Sequence, residues 1–137
     1  MPTPDELRAP IAQGRVKLEA AIRAAASNWT ATTTDDDWSP KKTAEHVIPA
    51  EAFFTAAVCK ACGYAGIEFE QASYESAEDA LTALAAVSEV CDGRLKYLTE
   101  EDLAREHERM GSVVAILQQN ANHLVEHAAQ IEGSAST

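Results

Sequence analysis

Several things are scarce in this sequence, and each shortage rules something out. Its 137 residues include three cysteines, an odd number that sets up no disulfide framework. A reducing cytoplasm is the expected location. Lysine and arginine total 11 against 22 acidic residues, a net charge of −11, and no basic cluster opposes that balance. Such a surface repels polyanions, so nucleic acid is not expected as a partner. No apolar run approaches the roughly 20 residues that a membrane span needs, and no membrane partner is expected either. The opening Met1-Pro2-Thr3-Pro4-Asp5-Glu6 lacks the basic start and apolar segment of a secretory signal. With only six glycines and five prolines beside abundant alanine, the composition favours helix.

What remains is ordinary for a globular chain: 46% hydrophobic and 24% charged residues, enough for one domain over residues 1–137 with a real core. Periodicity predicts a first helix from about Asp5 to Asn28, with Leu7, Ile11, Leu18, Ile22 and Ala25 on one side and Arg15 among the residues lying elsewhere. Pro10 should kink that helix or mark its true start. Residues 28–37, rich in threonine and aspartate, read as a loop that Trp29 and Trp38 fasten to the body.

Ser39-Pro40 starts a second helix, serine as N-cap and proline in the first turn, and Gly63 stops it after Cys62. Its apolar stripe is Val47, Ala50, Phe54, Ala57, Val58 and Ala61, with His46 at the edge and Pro49 bending the helix nearby. Ser76 with Asp79 opens a third helix to about Leu98 along Leu81, Leu84, Ser88, Cys91, Leu95 and Leu98, spaced like a bundle seam. Thr99 to Asp102 caps a short helical turn, and the charged run Arg105 to Arg109 reads as solvated. The last helix spans Val113 to about Ile131. Four helices and no convincing strand make an all-α four-helix bundle.

Of the four histidines, His107 lies in Arg-Glu-His-Glu-Arg, outside any apolar stripe, and is set aside as exposed. His123 and His127 are four apart on the last helix, one turn above each other, at the flank of its buried face. His46 has a similar place on the second helix. One reading is three unrelated helix-face histidines, each with its own partner. The other is a shared metal site built between facing helices. Neutral imidazoles suit zinc, nickel or another borderline divalent ion, and three protein ligands leave a position for water or substrate. Glu45 and Glu126 adjoin these histidines in sequence but point about 100° away on a helix. Gln130 is either solvated or in contact with a bound water.

Cys59-Lys60-Ala61-Cys62 closes a helix rather than opening one, so the helix dipole does not activate its thiols. It is read as a pair of ordinary helical cysteines. Asp35-Asp36-Asp37 lacks the spaced ligands and glycine of a calcium loop and is read as a polar loop.

Three segments, in order, resemble the DinB/YfiT-like family: Trp38-Ser39-Pro40-Lys41-Lys42-Thr43-Ala44-Glu45-His46, Leu98-Thr99-Glu100-Glu101-Asp102-Leu103, and His123-x-x-x-His127-x-x-Gln130-Ile131. The resemblance covers nearly the whole chain. It implies an up-down-down-up arrangement of the four helices, with a divalent metal on His46, His123 and His127. It also implies chemistry similar to that of thiol-dependent S-transferases and of the metal-binding domain of mycothiol-dependent maleylpyruvate isomerase. Pro49 and the alanine-rich helices depart from the family pattern and bear on pocket shape.

Two functions follow as expectations. One is a metal-dependent transferase that activates a low-molecular-weight thiol for attack on a small electrophile, with a metal-hydroxide hydrolase as its neighbour. The other is a non-catalytic, metal-stabilised bundle in a stress response. Apolar helix faces left over suit a partner helix, and a homodimer is expected. No individual catalytic residue is assigned.

Overall fold

The computed structural model describes residues 2–32, 37–68 and 70–135. Five helices and one short hairpin make up the described chain: α1 Pro4–Ala24, α2 Pro40–Cys62, α3 Ala77–Leu95, α4 Glu100–Leu103, β1 Glu106–His107, β2 Gly111–Ser112 and α5 Val113–Ala135. The architecture is all-α, with four long helices packed as a bundle.

The helix starts are chemical. Thr3 accepts a hydrogen bond from the Glu6 N–H, and the Glu6 carboxylate accepts one from the Thr3 N–H, a capping box. With that start, α1 begins at Pro4 and continues through Pro10, so the helix does not start at that proline. Pro10 and Glu6 are exposed, so water can serve the Glu6 carbonyl that the proline leaves without a donor. The helix ends at Ala24, and a 3₁₀ turn covers Ala26–Asn28. Ser39 caps α2, Gly63 closes it at φ 74°, Ser76 caps α3, and a Thr99–Asp102 capping box starts α4. α3 stops at Leu95, short of the expected Leu98, and Arg8 donates to the Leu95 carbonyl at 2.8 Å.

α1 packs chiefly on α5, and α2 lies against both α5 and α3. Gly14 lets α1 approach closely, since a Cβ there would meet the Leu124 Cβ at 3.0 Å. The core gathers Leu7, Ile11, Leu18 and Ile22 with Leu117, Leu124, Ala128 and Ile131. α2 is buried more completely than its stripe suggests, because Thr43, Ala44, Ile48, Ala52, Thr55 and Cys59 are inside as well.

Two sequence expectations are corrected. No strand was expected, yet within the largely exposed run 105–109 Glu106 pairs with Ser112 and the half-buried His107 with Gly111 in an antiparallel ladder, and Gly111 sits at φ 87°. Arg15 turns inward, pairing with the fully buried Glu51 of α2 and reaching Asp92 of α3 at 2.7 Å. Of the tryptophans, Trp29 is buried and donates its indole N–H to the Tyr74 carbonyl at 2.8 Å. The expected aspartate loop lies partly outside the described residues, with Asp37 inside them and exposed.

Candidate metal centre

The α2–α5 contact brings the three singled-out histidines together. His46 comes from α2, and His123 and His127 come from successive turns of α5. Their Nε2 atoms face one another. His46 Nε2 lies 3.2 Å from His123 Nε2, which lies 3.0 Å from His127 Nε2. All the candidate ligand atoms fall within 4.8 Å, and among the described residues this is the only such gathering of three or more potential ligands. Metal–imidazole bonds of about 2.0–2.1 Å set tetrahedral N···N edges of roughly 3.3–3.4 Å, close to these separations. The donor set fits a divalent ion.

Proton arithmetic points the same way. Gln130 Oε1 lies 2.7 Å from His127 Nδ1 and can only accept, so His127 Nδ1–H donates and its Nε2 presents a lone pair. A proton on His123 Nε2 can bridge to one neighbour, not both. The remaining lone pair faces nitrogen without a donor, and among the described residues no carboxylate joins the cluster. Burial, then the neighbouring imidazoles of His127 and His46, push the His123 pKa down to about 4. Burial, then His127, lower that of His46. Neutral rings are the ligating form.

Aromatic rings wall the site. Trp38 meets His46 edge-on at 5.2 Å between centroids and lies nearly parallel to His127 at 6.5 Å. Phe54 meets His123 at 5.4 Å. Neither Gln130's hold on His127 nor Trp38's place beside the rings was read from the sequence. The three-residue step from His127 to Gln130 was the available signal for the first, since helix residues three apart are neighbours.

The other candidates fall elsewhere. Glu45 is fully engaged, accepting from Lys41 Nζ at 2.6 Å, Ser73 Oγ at 2.9 Å and the Tyr74 N–H at 2.8 Å. Burial pushes its carboxyl up, but these donors outweigh burial and hold it below the usual range. His107 sits in the hairpin. Cys59, Cys62 and Cys91 are free and buried. Burial, then Asp102, pushes the Cys62 thiol up to about 11, and burial, then Glu51, pushes Cys91 up to about 12. Burial also raises Cys59. None of the three is a thiolate nucleophile at neutral pH.

No helix among the described residues is long and apolar enough to cross a membrane. No curated protein and no solved structure matches the chain. The family model of the DinB superfamily matches residues 11–131, a span that contains all three histidines. The chain belongs to the DinB superfamily.

Proposed function

We propose that His46, His123 and His127 hold one divalent ion, zinc or nickel, and that the site activates a low-molecular-weight thiol for transfer to a small electrophile. The observation that carries this reading is the convergence of three Nε2 atoms with no counter-charge among them. His46 is exposed, so the cluster opens to solvent on the α2 side and leaves room for an exogenous ligand. When bound, the ion supplies the positive charge that lowers a thiol's pKa and fixes its sulfur.

The chain's own residues do the rest. Gln130 fixes the His127 tautomer and aims its Nε2 at the centre, as outer hydrogen bonds do for metal-ligating histidines. Trp38 and Phe54 exclude water from the flanks of the rings. The protein offers no thiolate of its own, because its three cysteines are buried with raised pKa values. An external thiol is the nucleophile this arrangement accommodates.

A thiol titration of Co²⁺-loaded protein tests the reading. A sulfur-to-cobalt charge-transfer band should appear with glutathione, bacillithiol or mycothiol and be absent in His123→Ala. If no thiol changes the spectrum or accelerates conjugation to monochlorobimane, thiol transfer is wrong. The same proposal includes the up-down-down-up helix order, a homodimer and a cytoplasmic location. Sedimentation equilibrium checks the dimer.

A further inference from the structure

α2 is buried around most of its circumference, and the residues it exposes outside its ends form one line: Lys42, His46, Phe53 and Lys60. Steps of four and seven residues place them on one helix face. The histidine cluster takes one end of this line. Phe53 lies about 10 Å farther along the axis, at 1.5 Å rise per residue. There the β1–β2 hairpin stands beside α2, and the two border an open groove of about 490 Å³, within the range of small-molecule sites.

The lining has two characters. Phe53, which is 49% exposed, Ala57 and Met110 give an apolar floor. Lys60, His107 and Arg109 bring donors. His107 Nδ1 accepts from the N–H groups of Arg109 at 3.1 Å and Met110 at 3.3 Å. A neutral ring therefore carries its proton on Nε2, which is a donor. Arg109 has no carboxylate within 4.0 Å among the described residues. The one acid of the lining, Glu108, is engaged with Lys60 across the groove at 3.3 Å. Outside that pair, the polar side chains of the lining donate. One unmatched cation beside an apolar floor fits a ligand with a single negative charge and a hydrocarbon body.

We propose that this groove binds a small aliphatic monocarboxylate, its carboxylate on Arg109 and His107 and its chain over Phe53 and Met110. A planar guanidinium is suited to grip a carboxylate through two N–H groups. Glu108 opposes the ligand by occupying Lys60. The inference stands on the groove alone and does not depend on the metal.

Calorimetric titration of the full-length, metal-loaded protein with octanoate, octanol and octylamine tests it. Octanoate should bind at least ten-fold more tightly than octanol, and octylamine more weakly still. Arg109→Ala should weaken octanoate at least ten-fold and leave octanol unchanged. Glu108→Gln should tighten octanoate several-fold by freeing Lys60, a gain that local damage would not produce. Metal-free wild type should bind octanoate like the metal-loaded protein. The proposal is overturned if octanoate gives no binding at millimolar concentration or no preference over octanol and octylamine. It also falls if Arg109→Ala leaves octanoate binding intact or Glu108→Gln weakens it. Loss of octanoate binding on removal of the metal would place the carboxylate at the histidine cluster and equally overturn it.

Discussion

Two polar clusters cross the helices of this bundle, and they are built on opposite principles. Arg15, Glu51 and Asp92 join α1, α2 and α3 with charges of both signs, and the Arg15 guanidinium makes ion pairs to both acids. His46, His123 and His127 join α2 and α5 through three facing ring nitrogens, with no acidic residue in the group among the described residues. The first cluster meets charge with opposite charge within the chain, although Glu51 Oε2 is buried without a hydrogen-bond partner. The second has no such pairing, and a shared proton cannot satisfy all three facing nitrogens. Burial pushes the Glu51 carboxyl up even beside Arg15, so the first cluster also depends on its pairing being whole.

The larger effect lies on the ion-pair side. Arg15→Met leaves Glu51, which is fully buried, without its counter-charge. Breaking a buried pair in this way costs about 3–5 kcal/mol, whereas the double change Arg15→Met with Glu51→Leu should recover most of it. Denaturant titration at pH 7 reads both. The single variant should regain part of its loss on acidification. An acid whose folded pKa lies above its unfolded value destabilises the fold at higher pH and ceases to do so once protonated. Metal content should be unchanged in either variant, which separates the two clusters functionally.

On the histidine side, Gln130→Ala removes the acceptor that holds His127 Nδ1–H. Metal affinity should fall about 10–100-fold with little change in the metal-free fold, as for other outer partners of ligating histidines. Competition against a chelating indicator measures it. Affinity equal to the wild type would mean that Gln130 does not orient the ring.

The pH response sharpens the contrast further. His123, at about 4, and His46 both titrate below the ordinary histidine value in the folded protein. Above pH about 6.5 the rings are neutral in both states and cost nothing. Below it the unfolded chain takes up protons that the folded chain refuses, so metal-free stability should fall from about pH 6.5 to about pH 4. Metal-loaded protein should lose more over the same fall in pH, because protons also displace the ion. Melting temperatures of both forms from pH 8 to 4 check this. A loaded-minus-free difference that grows on acidification would rule out histidine ligation. The smallest effect belongs to Asp92→Asn. That carboxylate is 63% exposed, so its bridge to Arg15 should contribute less than about 1 kcal/mol by denaturant titration.

Helix identities, and the residues that cap them, were legible because capping is local chemistry. Ser39, Gly63, Ser76 and Thr99 do what their types do at helix ends. The histidines were legible as candidates, since faces follow from spacing, but their convergence depends on how α2 meets α5. Arg15 and Glu51 were missed because periodicity sorts residues by polarity, and a buried ion pair looks polar on both helices. The hairpin was missed because each strand is two residues long, too short for alternation to show. α2's wide burial was hidden by alanine and threonine, which pack inside without marking a stripe.

If His46, His123 and His127 share one ion, metal stoichiometry will show it. Elemental analysis of tag-free protein, wild type and the three single alanine variants, should find about one divalent ion per chain in the first and almost none in the others. Each variant should keep its helical circular dichroism, and His107→Ala should retain the ion. Equal metal content in the wild type and the three variants, or none in any of them after equilibration with zinc and nickel, would mean that the three histidines share no ion.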